Sequence, residues 1–254
     1  MDYGFQGKIA LVTGTGSQTG MGKAVCLMLA KEGCNVVSAS KNFEGAKQTA
    51  AEAKAFGRKA IALKVDVSKA AEVDEMVKAA LKEFGKIDIL VNAAGVIAAI
   101  GKGLMETNQD TWDKDMGVNL YGTMNCAKAV IPGMVERKYG KIINFSSITA
   151  KAGGPDSYSI SKAAVLAFTR GLASQFGPSN INVNAIAPGM VKTELFGEIT
   201  EVQNQRFERW ASRPPLRRIQ TVEDMANAAA FLASDVSKNI TGQCIQVDSG
   251  LVML

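Results

Sequence analysis

Short β-branched runs of strand length alternate with longer amphipathic stretches of helix length along all 254 residues, with no low-complexity linker between them. This alternation predicts strands at 8–13, 35–39, 59–66, 87–92, 141–146, 181–187 and 243–248, and helices at 21–32, 44–55, 70–84, 112–138, 157–176 and 222–233. Several strand candidates, KIALVT at 8–13 among them, are nearly continuous apolar runs, as parallel strands covered on both faces require. Repeated strand–helix units with right-handed crossovers give an α/β fold: one doubly wound sheet of about seven parallel strands with helices on both faces. The expected organisation is a single domain over 1–254. The segment 193–221 breaks the alternation, and an insert of that length is expected to act as a substrate loop.

Composition narrows the chemistry. The chain contains no histidine, which removes His-dependent triads, His-ligated zinc and imidazole proton shuttling. Acid–base work must then come from Tyr, Lys, Cys or carboxylates, and no metal site is expected. The four cysteines, Cys26, Cys34, Cys126 and Cys244, form no CxxC and read as reduced thiols. No apolar run approaches the ~18 residues of a membrane span, and residues 1–8 lack a signal-peptide pattern, so a cytoplasmic protein without a membrane partner is expected. Lys and Arg number 29 against 24 Asp and Glu, for a net charge of +5. Without a concentrated basic run this favours an anionic small ligand over nucleic acid.

Directly after the first strand candidate stands Thr13-Gly14-Thr15-Gly16-Ser17-Gln18-Thr19-Gly20-Met21-Gly22, and a helical run follows. Glycines at a strand-to-helix turn let backbone N–H groups and the helix dipole meet a pyrophosphate, so a Rossmann-type dinucleotide site is expected here. Gly14, Gly16, Ser17, Thr19, Gly20 and Met21 are its candidate contacts. About 20 residues beyond the glycines an NAD-specific site carries a carboxylate for the ribose 2′-OH. This chain has Ser40 and Lys41 there. A hydroxyl and an ammonium suit a 2′-phosphate, which favours NADP(H), with NAD(H) as the alternative. Asp66, followed by Val67, is a candidate for the adenine edge or for a helix cap, a role for which Ser68 competes.

With histidine absent, Tyr158-Ser159-Ile160-Ser161-Lys162 is the leading acid–base candidate. Positions i and i+4 share a helix face, so the Tyr158 phenol and Lys162 ammonium point into one region. A free phenol titrates near ~10 and a nearby cation lowers that value. The pair follows the strand candidate that ends in Asn144-Phe145-Ser146-Ser147.

Across essentially its whole length the chain resembles the short-chain dehydrogenase/reductase family. The resemblance rests on the glycine turn, Asp66, Asn92-Ala93-Ala94-Gly95, Asn119 in Val118-Asn119-Leu120, Ser147, Tyr158 with Lys162, Pro188-Gly189 followed by Thr193, and Val247-Asp248-Ser249-Gly250. It implies an NAD(P)(H)-dependent oxidoreductase that interconverts a secondary alcohol and a ketone. Tyr158 would exchange the proton with the substrate oxygen, and Ser147 would hydrogen-bond that oxygen. Lys162 would bind the nicotinamide ribose and hold the Tyr158 pKa down. Asn119 would interrupt its helix and seat a relay water. Asn92, Ala93, Ala94 and Gly95 would support the sheet beside the adenosine ribose, and Val191 and Thr193, after Pro188 and Gly189, would meet the nicotinamide carboxamide. The chain departs from the family in three places: two extra residues in the turn (Gln18 and Thr19), alanine at position 93 where a second asparagine is frequent, and a shorter Ser147-to-Tyr158 interval. The last leaves Ser146 as the alternative hydroxyl.

The resemblance also implies an apolar substrate cleft, with Val96, Ile97, Ile100, Thr149, Ala150, Gly154, Met190, Leu195 and Phe196 as candidate lining. Arg206, Arg209, Arg213, Arg217 and Arg218 in the insert would guide an acidic or CoA-linked substrate, or else form a solvated helix face with Phe207 and Trp210 packed inward. A 3-oxoacyl-(acyl-carrier-protein) or acyl-CoA reductase is the specific alternative. Ser174 stands where carrier-dependent relatives commonly have an arginine. A non-catalytic dinucleotide sensor is the alternative of another class. The family further implies a homotetramer, built through helices 112–138 and 157–176 at one interface and the final strand with residues 251–254 at another.

Overall fold

The computed structural model describes residues 2–193 and 200–253, leaving aside the side chains of 202, 203 and 206. Seven strands form one all-parallel sheet: β1 (Ile9–Thr13), β2 (Asn35–Ser40), β3 (Ala60–Lys64), β4 (Ile89–Asn92), β5 (Gly140–Phe145), β6 (Ile181–Pro188) and β7 (Cys244–Val247). Their order is β3-β2-β1-β4-β5-β6-β7. The expected doubly wound α/β fold is therefore present. The chain builds outward from β1 to β3 and then returns to lay β4 on the other side of β1. That reversal opens a crevice beyond the carboxyl ends of β1 and β4.

The apolar strand runs follow from burial on both faces. In β1, Ala10 and Val12 join one core cluster while Leu11 joins the other; in β4, Ile89 and Val91 go one way and Leu90 the other. The first cluster packs under α1 (Met21–Lys31) and α9 (Val222–Ala233) through Val25, Leu29, Met225 and Leu232. The second packs under α3 (Ala70–Phe84), α5 (Gly122–Arg137) and α7 (Ser157–Phe176) through Val73, Val77, Val130, Met134 and Leu172. Each such side chain contributes about 1.5–3 kcal/mol by leaving water. The other helices are α2 (Phe43–Lys54), α4 (Gln109–Asp115), the short α6 (Thr149–Ala152) and α8 (Glu201–Ala211). Among the described residues, no helix is long and apolar enough to cross a membrane.

One helix differs from its sequence pattern. The stretch expected as a single helix over 112–138 begins at Gln109, because the Asn108 side chain caps it by accepting from Thr111 N at 3.0 Å. It then passes through a π-helical segment, Met116–Tyr121, before continuing as α5. A π turn inserts one residue locally while the stretches on either side keep the helical period, so the whole still reads as one helix. The insert at 193–221 carries α8 and rejoins the fold where Gln220 bridges Val191.

Candidate active site

The crevice at the strand ends is a cleft of about 1100 Å³. Its floor is set by close backbone approach. Gly14 has φ +75°, and a Cβ there would stand 2.6 Å from Ala94 N and 2.7 Å from the Ala93 carbonyl oxygen. A Cβ on Gly22 would stand 2.5 Å from the Gly14 oxygen, so the two glycines let the start of α1 press against the ends of β1 and β4. Gly14, Ser17, Gly20 and Met21 line the cleft, whereas Gly16 and Thr19, both expected to contact cofactor, fall outside the lining. Gly16 is instead turned to α2, its carbonyl accepting from Asn42 Nδ2 at 3.0 Å. Gln18 donates from Nε2 to the Gly45 carbonyl at 3.3 Å, and its Oε1 accepts from Lys23 Nζ, which also pairs with Glu52 at 2.7 Å. The lengthened turn thus folds onto α2 and leaves the cleft face to Ser17 and Gly20.

This face fits a dinucleotide pyrophosphate. Among the described residues, the Ser17 Oγ is buried without a hydrogen-bond partner, and α1 has no side-chain cap at Gly20. Its N–H groups and positive dipole end therefore face the cleft unmasked.

At the end of β2, Ser40 and Lys41 both line the cleft. Ser40 Oγ accepts from Asn42 N at 3.3 Å. Lys41 Nζ meets Asp66 Oδ2 at 2.9 Å, with its side chain 80% exposed. Asp66 Oδ1 accepts from Ser68 Oγ at 2.6 Å and Ser68 N at 3.1 Å. The Ser68 hydroxyl, and after it Lys41, hold the Asp66 carboxyl below the usual carboxylate range. Asp66 closes this turn without capping the helix, since the N-cap of α3 is Lys69.

The opposite wall is built by α7. Asp156 caps it, accepting from Ser159 N at 2.7 Å, and the first turn presents Tyr158 to the cleft with Lys162 one turn later. Tyr158 is 8% exposed and Lys162 is buried. The two adjacent serines both line the cleft but differ in their partners. Ser146 Oγ donates to the Lys162 carbonyl at 2.8 Å, while Ser147 Oγ accepts from Thr149 N at 3.2 Å and lies 3.1 Å from Thr149 Oγ1. Burial pushes the Tyr158 phenol up to about 12; the Ser147 side chain opposes this, and Asp115 and Asp156 add to it. The expectation that Lys162 draws the phenol down is reversed here. Lys162 Nζ donates to the Phe145 carbonyl at 2.9 Å and lies 5.9 Å from the Tyr158 ring centroid, so desolvation of the phenolate dominates. Burial also pushes Lys162 down to about 8, against the opposing pull of Asp115.

Asn119 does lie where its helix is interrupted, in the π segment, but behind the cleft wall. Its Oδ1 accepts from Val96 N at 3.0 Å, and its Nδ2 donates to the Val96 carbonyl and Ser161 Oγ, each at 3.1 Å. Asn92 is likewise behind the wall, donating to Asn144 Oδ1 at 2.9 Å to tie β4 to β5. Val67, Ala93, Ala94, Gly95, Pro188, Gly189, Val191 and Thr193 line the cleft, as do Val96, Ile97, Ile100, Thr149, Gly154 and Met190; Ala150 does not. Leu195 and Phe196, and the Arg206 side chain, lie outside the described residues. Phe207 is buried, whereas Trp210 faces the cleft with the Arg213 guanidinium 4.4 Å from its ring centroid. Sequence reading missed Lys102 and Lys114 on the lining. It also missed buried Asp115, because an acid beside Asp113 and Lys114 in a helical stretch looks like an ordinary solvated charge.

Comparison with known proteins agrees with this architecture. A family model described as enoyl-(acyl carrier protein) reductase matches residues 14–252. The (2S)-[(R)-hydroxy(phenyl)methyl]succinyl-CoA dehydrogenase subunit BbsD of Thauera aromatica is 39% identical over 248 residues, 97% of each chain. The 3-oxoacyl-[acyl-carrier-protein] reductase FabG of Staphylococcus epidermidis is 38% identical over 253 residues, 97% of this chain and 99% of its own. Among solved structures, a protein of Sinorhizobium meliloti 1021 described as a short-chain alcohol dehydrogenase superposes with TM-score 0.89 at 34% identity, covering 97% of this chain and 96% of its own.

Proposed function

The chain belongs to the short-chain dehydrogenase/reductase family, and on that premise we propose that Tyr158 is its general acid and base, with Ser147 holding the substrate oxygen and Lys162 the nicotinamide ribose. The family makes it an NAD(P)-dependent oxidoreductase that interconverts a secondary alcohol and a ketone. The observation that carries the residue assignment is that Ser147 and Tyr158 share the cleft wall, with the Ser147 hydroxyl bonded, among the described residues, to Thr149 alone, while Ser146 is spent on the Lys162 carbonyl. A bound nicotinamide supplies or accepts the hydride at the substrate carbon. In reduction, the Tyr158 phenol gives its proton to the substrate oxygen, to which Ser147 donates. A phenol held up at about 12 is a proton donor at neutral pH, which suits the reductive direction. Lys162, with a pKa near 8, is largely an ammonium there and can donate to a ribose hydroxyl. Asn119 acts from behind by fixing Gly95 and Val96 beside Lys162: a Cβ on Gly95 would stand 3.3 Å from Asn119 Oδ1 and 3.5 Å from Lys162 Nζ.

NADP(H) is the preferred dinucleotide in this reading, because Ser40 and Lys41 sit on the cleft where a carboxylate would select NAD(H). A charge-assisted hydrogen bond is worth ~1.5–3 kcal/mol. Lys41 is highly exposed and shared with Asp66, so its share belongs at the lower end, a preference of roughly tenfold in kcat/KM. Ser40→Asp is expected to move preference toward NADH, and Lys41→Ala to raise the KM for NADPH while leaving that for NADH nearly unchanged. Parallel assays of wild type with both dinucleotides test this. A higher kcat/KM for NADH would defeat it.

The substrate reading follows from the cleft mouth. Apolar Val96, Ile97, Ile100 and Met190 line it together with Lys102, Lys114 and the Trp210 ring that carries Arg213. Such a site suits an apolar ketone with an anionic handle left at the rim, and a CoA thioester is favoured over a protein carrier because Ser174 offers no cation for docking. A 3-oxoacyl-CoA is then expected to show a KM roughly tenfold below its pantetheine thioester at low salt, a gap that closes as salt screens the rim. Equal KM values at low salt would remove the CoA reading.

A further inference from the structure

Asp115, the last residue of α4, is completely buried (0% exposed), although Asp113 and Lys114 beside it reach the cleft. Both of its oxygens are engaged. Oδ1 accepts from Ala98 N at 2.9 Å, and Oδ2 accepts from Ser157 Oγ at 2.7 Å. Ala98 belongs to the segment after β4 that carries Val96, Ile97 and Ile100 on the cleft wall, and Ser157 immediately precedes Tyr158. The carboxylate therefore spans the two segments between which a substrate lies. Both donors are neutral, and among the described residues Asp115 makes no ion pair within 4.0 Å. A buried carboxylate without a directly paired cation is costly, and an apolar side chain would fill the same space without that cost.

We propose that Asp115 is a positioning residue for the alcohol–ketone reaction, clamping the Ala98 segment to the Ser157 turn so that Tyr158 is held toward the substrate, with its charge acting on Lys162 from beside Ser157, at the start of the same helix. This rests on the assignment of Tyr158 and Lys162 made above. The charge acts on both groups: it favours the Lys162 ammonium, opposing the burial that otherwise pushes that group down, and it disfavours the Tyr158 phenolate. The other groups facing the pair are Asp156, from the segment leading into α7, and, around the cleft, Lys102 from the segment after β4 and Lys114 from α4. Asp156 is occupied locally, with Oδ2 accepting from Ser159 Oγ at 3.1 Å and Gly101 N at 3.4 Å. From β5 the Lys162 ammonium meets the neutral Phe145 carbonyl.

Asp115→Asn removes the charge while keeping an acceptor for Ala98 N and placing an amide donor beside Ser157 Oγ. Loss of the charge lowers the Lys162 pKa from about 8, so the alkaline limb of kcat for ketone reduction moves to lower pH. Tyr158 stays protonated across that range. NADPH affinity measured well below the limb is expected to stay within about twofold of wild type. Lysine side-chain NMR, with the Lys162 signal assigned by its absence in Lys162→Arg, reports the same midpoint without turnover. A limb and a midpoint that move together support the proposal. An unmoved midpoint overturns the role of Asp115 even if Tyr158→Phe is inactive. A midpoint that moves while the limb stays overturns it through the underlying reading, since Lys162 would then be uncoupled from turnover. Ser157→Ala is the companion variant should Asp115→Asn fail to fold: it removes one arm of the clamp but keeps the charge. Its expected result is a kcat lowered roughly threefold to tenfold with the limb in place, and an unchanged kcat would overturn the clamp.

Discussion

Tyr158→Phe is expected to lower turnover by ~10²–10⁴ while NADPH still binds, because the ring keeps its packing and only the transferable proton is lost. Tyr158 is 8% exposed at the wall of the cleft, and among the described residues no other tyrosine lines it. Tyr139 is tied to Asp235 at 2.9 Å, and Tyr3 stacks on Phe5. Ser147→Ala belongs to the same experiment and is expected to be far more damaging than Ser146→Ala. The Ser146 hydroxyl serves the Lys162 carbonyl, so its loss costs about 1 kcal/mol of stability with little change in the chemistry. Steady-state rates and fluorescence titration with NADPH separate the two effects. A Phe variant that kept more than half the wild-type rate would take Tyr158 out of the proton path.

Gly14→Ala is expected to be nearly as severe, by a different route. At φ +75° any side chain costs about 1–2 kcal/mol, and here the new Cβ would also stand 2.6 Å from Ala94 N and 2.7 Å from Ala93 carbonyl carbon and oxygen. Those are backbone atoms at the end of β4, which cannot rotate away, and overpacking of this kind adds about 1–3 kcal/mol. The combined loss of about 2–5 kcal/mol corresponds to a Tm lower by roughly 5–15 °C. NADPH affinity should fall as well, because the glycine turn and Ala93–Gly95 shift together. Gly57→Ala is the control. It has φ +73° with no atom within 4 Å of the added Cβ, so it should show the backbone cost alone. Thermal melts of the two variants that coincided would mean that the close approach at Gly14 carries no weight.

Much of the site was legible because its signals are local. The i, i+4 spacing alone put Tyr158 and Lys162 on one face of α7, and the glycine turn after an apolar run announced the dinucleotide cleft. What escaped the sequence concerns groups distant along the chain. The proposed choice of Ser147 over Ser146 rests on Ser146 being spent on the Lys162 carbonyl of α7. Asp115 became remarkable in position only when α4 brought it beneath Ser157 and Ala98. The i, i+4 argument also gave the wrong direction for the Tyr158 pKa, because it counted the nearby charge and not the burial or the Phe145 carbonyl that occupies Lys162.

Sequence by itself determined the all-parallel sheet, since strands such as 8–13 and 87–92 are apolar at consecutive positions and only a sheet covered on both faces buries them. It also determined that proton transfer must run without histidine, and it placed Ser40 and Lys41 at the end of β2. The tertiary structure alone decided that Gln18 folds away onto α2, that Asn119 braces Val96 from a π segment, and that Lys102, Lys114 and Trp210 share one rim. The division has a physical cause: backbone hydrogen bonding and hydrophobic period act between residues a few positions apart, whereas desolvation and side-chain pairing depend on which distant segments pack together.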